Sequence, residues 1–130
     1  MPEGPPGRPA RPILIVDDDP DVAGVLAAIL GEDGRDAAIA RDGQEALALA
    51  RAAPPALILL DMLLPDLDGL EVCHRLQADP ATAGIPIVFL TGTPTALAGD
   101  RLAGCAHRGI LRKPVGLDEL LATVARHLAG

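Results

Sequence analysis

The sequence predicts an α/β fold, a three-layer sandwich in which a five-stranded parallel sheet lies between two layers of helices, five helices in all. Short apolar runs alternate along the chain with segments of helical periodicity, as in a parallel sheet with helical crossovers. The strongest runs are ILIV at 13–16, LILL at 57–60 and IPIVFL at 85–90. These runs are almost continuously apolar rather than alternating, which indicates strands buried on both faces.

The first half of the chain predicts two strands and two helices. Asp19 and Pro20 follow the first apolar run, where a helix N-cap and a first helical residue are expected. Pro54 and Pro55 end a helix rich in Ala and Leu. The predicted elements are a strand at 13–16, a helix ending at Gly31 or Gly34, a weak strand at 35–39 and a helix over 44–53.

The second half predicts three strands and three helices. Gly99 and Gly104 weaken the pattern of the fourth helix. The closing helix has one apolar face, formed by Leu117, Leu120, Leu121, Val124 and Leu128. The predicted elements before it are a strand at 57–60, a helix over 70–78, a strand at 85–90, a weak helix over 95–104 and a strand at 109–112.

The length of 130 residues fits one domain with a core of its own. Residues 1–12 hold five of the thirteen prolines, and such a segment has too little apolar surface to order itself. We therefore expect a disordered tail over 1–12 and a folded domain over 13–130.

The composition excludes several functional classes. Eighteen acidic residues against eleven Lys and Arg give a net charge of −7, which argues against direct binding to nucleic acid or to anionic lipid. Phe89 is the only aromatic residue, which excludes base-stacking platforms and a Trp/Tyr membrane belt. The longest uncharged stretch, 80–99, contains Pro80, Pro86 and Pro94, so a membrane helix is not expected.

The cysteines and histidines do not predict a site of their own. Two cysteines, Cys73 and Cys105, argue against a disulfide scaffold or a Cys-rich zinc site, and Cys73 is expected to be a small apolar residue of the third helix. His74, His107 and His127 are scattered and lack metal-ligand spacing. No secretory leader opens the sequence, so we expect a cytoplasmic location.

The residues at the ends of four predicted strands indicate a function. Asp17 and Asp18 follow the first run, Asp61 follows the second, Thr91 ends the third, and Lys113 follows the last predicted strand. In open parallel sheets the ligand crevice lies outside the carboxyl ends of the strands. We therefore expect these side chains to meet at one edge of the sheet.

This set of side chains suits phosphoryl chemistry. Crowded carboxylates repel one another unless a cation lies between them, and Mg²⁺ prefers oxygen ligands and phosphoryl groups. Asp61 is a competent nucleophile toward a phosphoryl donor. Lys113 is the sole lysine beside ten arginines, so a compact ammonium stands at this strand end in a chain that otherwise uses Arg.

With these residues in view, the chain resembles the receiver domain of two-component response regulators, the family of the chemotaxis regulators, over roughly 12–129. The matching segments are ILIVDDDP, LILLDMLLPDLDGLEV, IPIVFLTG and LRKP. The intervals also match: 43 residues from Asp18 to Asp61, 30 more to Thr91 and 22 more to Lys113. The resemblance implies the flavodoxin-like receiver fold.

The resemblance also implies a role for each site residue. Asp61 would accept a phosphoryl group from a phosphohistidine on a sensor histidine kinase or a phosphotransfer protein. The implied magnesium ligands are Asp18 directly, Asp17 through water, Asp61 itself and the backbone carbonyl of Leu63. Lys113 would pair with the phosphoryl group, and Thr91 would move to hydrogen-bond it. The Lys113-Pro114 peptide is commonly cis in the family, and this sequence allows that isomer.

Other acids of these motifs are interpreted as structural. Asp19 is expected to cap the first helix, whereas Asp66, Asp68 and Gly69 suit a loop and the start of the third helix.

Two positions depart from the family pattern. Ile110 stands where the family usually has Tyr or Phe, so an aromatic ring cannot report phosphorylation here. Leu63 places an apolar side chain at the mouth of the site, where it cannot orient a water, and predicts slow self-dephosphorylation.

The leading hypothesis is a phosphoacceptor signalling domain that is not an enzyme beyond its own phosphorylation and dephosphorylation. Its partners would be the kinase or phosphotransfer protein and a downstream protein, with a homodimer left open. The alternative is a binding module with the receiver fold that works without phosphorylation. A hydrolase of the haloacid dehalogenase type is less favoured, because it needs an acid at the position of Leu63.

Overall fold

The computed structural model describes residues 11–92, 98–99 and 102–128. Four strands of the sheet and three helices alternate over the first two thirds of the chain, and a last strand and helix close it. The elements are β1 (Ile13–Val16), α1 (Pro20–Glu32), β2 (Ala37–Ala40), α2 (Gly43–Ala52), β3 (Leu57–Asp61), α3 (Gly69–Ala78), β4 (Ile87–Thr91), β5 (Gly109–Arg112) and α4 (Leu117–Leu128).

The five strands are parallel and lie in the order β2-β1-β3-β4-β5. Ile13 of β1 pairs with Ala37 of β2 on one side and with Leu57 of β3 on the other. Strand β2 therefore lies on one side of β1, and β3, β4 and β5 follow in turn on the other side. The carboxyl ends of β1 and β3 meet where this order reverses, which is where open α/β sheets bind ligands.

The core has two parts, one on each face of the sheet. Alternate residues of β1 point to opposite faces, with Leu14 packed beneath α2 and α3 and Ile15 packed beneath α1 and α4. Phe89 lies fully buried on the α2–α3 side. Each fully buried Leu, Ile or Phe side chain stabilises the fold by about 1.5–3 kcal/mol, so both helical layers are held by apolar burial.

The structure confirms the predicted fold class, with adjustments at the element ends. Asp19 caps α1 by accepting from the N–H groups of Asp21 and Val22, as predicted. The third strong strand begins at Ile87 rather than at residue 85, because the N–H of Ile85 bonds to Thr82 in a turn. The weak second strand runs over Ala37–Ala40 rather than 35–39.

The predicted number of helices differs from the number described. Four helices lie in the described part of the chain, whereas the sequence predicts five. Half of the expected helix at 95–104 falls on residues outside that part, and so does most of the tail expected over 1–12. None of the helices in the described ranges combines the length and the apolar character of a membrane span.

The two cysteines correct one expectation from the sequence. Cys73 is fully buried on α3, as predicted for a small apolar residue, but its sulfur forms a disulfide with Cys105. Cys105 lies just before β5 and is itself buried. Packing of α3 against the segment before β5 brings together two residues that lie 32 positions apart, which no local pattern of the sequence reveals.

Candidate functional site

The side chains expected at the strand ends lie at one edge of the sheet. Asp17 directly follows β1, Asp61 ends β3, Thr91 ends β4, and Lys113 directly follows β5. The β5 end is held beside β4, because the backbone N–H of Lys113 donates to the carbonyl of Thr91 at 2.7 Å. Parallel pairing therefore delivers residues spread over almost one hundred positions of the chain to one pocket.

Lys113 joins two buried acids across the top of the sheet. Its Nζ lies 2.7 Å from Oδ2 of Asp17 and 2.9 Å from Oδ2 of Asp61. The other oxygen of Asp17 accepts the N–H of Asp19 at 2.9 Å. The ammonium thus bridges β1 and β3, the two strands that flank the point where the sheet order reverses.

Three carboxylates converge beside this ammonium. Asp17, Asp18 and Asp61 each offer an oxygen within 4.8 Å of the others, and Asp18 is exposed while the other two are buried. Three acids against the single charge of Lys113 leave an excess of two negative charges. A pocket of carboxylate oxygens with that excess suits a divalent oxygen-seeking cation such as Mg²⁺.

The surroundings of the central pair raise the pKa of both Asp61 and Lys113. Burial raises the pKa of Asp61, and this outweighs the opposing contacts with Lys113 and with the N–H of Leu63. Burial works against the charge of Lys113, but its contacts with the carboxylates of Asp17 and Asp61 prevail and raise its pKa. The ammonium is therefore charged at neutral pH, and a cation in the pocket would favour the ionised form of Asp61.

The loop between β3 and α3 brings Leu63 to the site through its backbone. The N–H of Leu63 donates to Oδ1 of Asp61 at 3.1 Å, while the side chain is 66% exposed. Leu63 and Asp68 form an antiparallel bridge that closes the loop. The backbone of Leu63 thus faces the site at a position where the side chain is free to vary.

Gly69 is required for the close approach of α3 to the end of β3. A Cβ atom at this position would lie 2.5 Å from the carbonyl oxygen of Asp61 and 2.8 Å from Cα of Met62. Any side chain would push the helix away from the strand or displace the backbone of Asp61. The sequence pattern predicts only a helix start at Gly69, and the close contact of this residue with Asp61 is visible only in the structure.

The loop acids have different structural roles. Asp68 caps α3 by accepting the N–H of Leu70, as expected for the start of that helix. Asp66, which was assigned to the same loop and helix start, instead accepts the N–H groups of Gly43 and Gln44 at the start of α2. The motif LPDLDG gave no signal of this contact, because the partner lies more than twenty residues earlier in the chain.

The remaining residues singled out in the sequence lie in or around the site. Thr91 is buried at the end of β4. The peptide between Lys113 and Pro114 is cis. Ile110 pairs with Phe89 across β4 and β5 and packs against the core. Within the described ranges, the three acids at the top of the sheet are the cluster with metal-binding geometry, and the histidines do not join it.

Fold and site together define a class: a doubly wound parallel α/β domain with an acidic pocket and one lysine where the sheet order reverses. The chain matches the response regulator receiver domain family over residues 13–125. This match covers most of the sequence, so the chain belongs to that family. It is a receiver domain of two-component response regulators, whose family role is to accept a phosphoryl group.

Curated relatives share this domain over about half of their length. The chain is 46% identical over 117 residues to the DNA-binding response regulator MtrA of Mycobacterium tuberculosis, an alignment that covers 89% of this chain and 50% of MtrA. It is 40% identical over 114 residues to the DNA-binding dual master transcriptional regulator RpaA of Synechocystis sp., covering 86% of this chain and 46% of RpaA. The chain spans about half the length of the curated relatives it matches.

Solved structures agree with the fold along most of the chain. The chemotaxis protein CheY4 of Vibrio cholerae superposes with a TM-score of 0.85 at 28% identity, covering 92% of this chain and all of that one. A CheY-like receiver domain protein of Methanospirillum hungatei gives 0.82 at 26% identity, covering 91% and 93%. The flavodoxin-like receiver fold predicted from the sequence is therefore confirmed.

Proposed function

We propose that Asp61 is the residue of this receiver domain, residues 13–130, that accepts the phosphoryl group. The observation that carries the proposal is the position of Lys113, whose Nζ lies within 3 Å of Asp61 in a pocket with two further acids. Asp61 is 6% exposed, and both of its carboxylate oxygens accept hydrogen bonds, Oδ1 from the N–H of Leu63 and Oδ2 from Lys113.

Transfer to Asp61 needs one bond to form and one to break. A carboxylate oxygen of Asp61 attacks phosphorus, and the bond between phosphorus and the donor imidazole nitrogen breaks, so that its electron pair returns to the ring. In this proposal the ammonium of Lys113 and the hydroxyl of Thr91 would contact oxygens of the transferred group. Preorganised donors of this kind stabilise the charge that develops in the transition state.

The metal-binding residues in this proposal are Asp17, Asp18, Asp61 and the carbonyl of Leu63. A magnesium ion bound there would neutralise charge on the incoming phosphoryl group. The acids provide the excess negative charge that such an ion requires, because Lys113 balances only one of them. The same residues catalyse phosphorylation and dephosphorylation of the domain itself, and no other substrate is proposed.

The phosphodonor is proposed to be a sensor histidine kinase or a phosphotransfer protein in the cytoplasm. A groove of about 270 Å³ beside Lys113 supports docking of a protein donor, because its walls are mostly apolar. Val25 of α1, one of its lining residues, is 59% exposed. Phosphorylation would then change which downstream protein the domain binds. Because Ile110 is not aromatic, movement of Thr91 would transmit the change to the surface instead of movement of a ring.

The test is intact-mass analysis of the protein after incubation with acetyl phosphate. We expect one phosphoryl adduct that forms with Mg²⁺, is absent with a chelator and is absent in the Asp61→Asn variant. Asp68→Asn is the matched control, because it removes an acid of the adjoining loop that caps α3. If neither acetyl phosphate nor a sensor kinase gives an adduct in the folded protein, the phosphorylation-independent binding module becomes the better interpretation.

The lifetime of the phosphorylated state is expected to depend on Leu63. Its exposed side chain cannot hydrogen-bond a water, whereas asparagine at the same position would orient one toward the phosphoryl group. General acid–base catalysis contributes about 10²- to 10⁴-fold, and an amide that only orients a water should contribute less, so we expect the Leu63→Asn variant to lose its phosphoryl group about 3- to 30-fold faster than the parent. The decay of the adduct is followed by intact mass after removal of the donor.

The control for this prediction is Leu63→Met, which keeps an apolar side chain of similar volume. Its decay rate should stay close to that of the parent. Equal decay rates in the parent and in Leu63→Asn would contradict the role given to this side chain.

A further inference from the structure

Asp66 connects the loop that follows the phosphoacceptor strand to helix α2. Its carboxylate accepts the N–H of Gly43 at 2.7 Å and that of Gln44 at 2.9 Å, and these are the first two residues of α2. It also accepts the N–H of Leu67 at 2.8 Å. Desolvation opposes the charge, but these hydrogen bonds prevail and lower the pKa of Asp66. The ionised carboxylate therefore lies at the positive end of the helix dipole.

The β3–α3 loop is bonded both at its base and at its tip. At the base, the N–H of Gly69 donates to the carbonyl of Met62 at 2.8 Å, and Leu63 bridges to Asp68. At the tip, Asp66 makes its contacts with α2. The loop carrying the backbone of Leu63 is therefore fixed to a second element of the fold as well as to its own strand and helix.

Helix α2 is in turn fixed relative to Asp17. The N–H of Asp17 donates to the carbonyl of Ala40 at 3.1 Å, and Ala40 ends the strand that leads into α2. At the start of α2, a Cβ atom on Gly43 would lie 2.9 Å from side-chain atoms of Leu67 and of Val72. The backbone of α2 thus packs directly on the loop. A continuous path of contacts runs from Asp17 through α2 and Asp66 to the loop of Leu63.

We infer that Asp66 is a positioning residue for the metal site, which keeps the carbonyl of Leu63 in place relative to the three acids. The inference rests on the proposed function, since it concerns the residues proposed to hold Mg²⁺. The sequence offers a close comparison in Asp42, which also lies at the start of α2. Asp42 accepts the N–H of Glu45 within that helix, so it caps the same helix end without forming the path to the loop.

The test compares Mg²⁺ binding by the Asp66→Asn and Asp42→Asn variants of the full chain. Binding is read from backbone amide NMR shifts during a Mg²⁺ titration, which also report whether each variant is folded. Loss of a residue that supports metal ligands commonly weakens metal binding by about 10-fold or more, so we expect the dissociation constant of Asp66→Asn to rise by about 10-fold. Asp42→Asn should bind Mg²⁺ as the parent does and stay close to it in stability, because asparagine caps a helix about as well as aspartate.

The effect should also appear in phosphorylation as a requirement for more Mg²⁺. At saturating Mg²⁺, the Asp66→Asn variant should regain the phosphorylation rate of the parent, because Asp66 itself does not contact the reacting atoms. Asp66→Ser, which keeps one hydroxyl acceptor, replaces the asparagine variant if the latter does not fold.

The outcomes separate this inference from the proposed function. A parent that binds no Mg²⁺ would overturn both. The other contradicting outcome concerns Asp66 alone. If the parent binds Mg²⁺ and the Asp66→Asn variant binds it as tightly as the parent or as Asp42→Asn does, the positioning role of Asp66 is overturned.

Discussion

We expect the Lys113→Met variant to take up a phosphoryl group from acetyl phosphate about 100-fold more slowly than the parent, because loss of one preorganised group that stabilises developing charge costs about 10²- to 10³-fold. The ammonium lies 2.7 Å from Asp17 and 2.9 Å from Asp61, and methionine has a similar length without the charge. The substitution also leaves two buried carboxylates facing each other without a cation. The initial rate of adduct formation by intact mass measures the effect.

Two further variants show whether charge alone is sufficient. Arg112 ends β5 immediately before Lys113 and is exposed, so Arg112→Met removes a neighbouring cation without touching the pocket. Its rate should remain close to that of the parent. Lys113→Arg keeps the charge but replaces a point-like ammonium with a planar fork, and we expect a rate between those of the parent and Lys113→Met. A rate for Lys113→Met equal to that of Arg112→Met would contradict the role of Lys113.

Reduction of the disulfide is expected to lower the free energy of unfolding by about 4 kcal/mol, since closing a loop of this length restricts the unfolded chain by roughly that amount. The bond joins Cys73 on α3 to Cys105 before β5 across 32 positions. Both residues are buried, so the bond is part of the packed core on the α2–α3 side. Urea unfolding followed by circular dichroism, with and without reductant, measures the change.

The Cys105→Ala variant provides the control for reductant itself. It cannot form the bond, so its unfolding curve should be the same with and without reductant and should resemble that of the reduced parent. Titration of free thiols in the unfolded parent, purified without reductant, should find none. An unfolding midpoint of the parent that reductant does not move would contradict the stabilising role of the disulfide.

The fold could be predicted where local signals agree with one another. The predictions of strand β1 and of the start of helix α1 are correct. A continuous apolar run marks the strand, and the Asp19-Pro20 pair after it marks the N-cap and the first residue of the helix. The predicted start of β4 at residue 85 is wrong. The apolar run begins at Ile85, but pairing with the neighbouring strand begins at Ile87. A strand boundary depends on which backbone groups form hydrogen bonds to the neighbouring strand, and hydropathy does not predict these bonds.

The site could be predicted in outline for a topological reason. Carboxyl ends of parallel strands share one edge, so strand-end residues are neighbours whatever the details of packing. The contacts that support the site depend on three-dimensional distances instead. Three such contacts join different elements of the fold: that of Asp66 with the start of α2, that of Gly69 with the carbonyl of Asp61, and the disulfide of Cys73. Asp, Gly and Cys also occur in ordinary loops and helices, so the residue types alone do not predict these contacts.

The lone lysine also determines how the protein can be handled. Lys113 carries the sole primary amine among the side chains of the sequence; its side chain is 22% exposed, and the amine is bonded to Asp17 and Asp61. Amine-directed dyes, cross-linkers and coupling surfaces would therefore find their only lysine target in the pocket, where two ion pairs and a raised pKa slow the reaction of this amine. Immobilisation for binding studies should use an added tag, whereas protection of this amine from a reagent gives a direct signal that the pocket is filled.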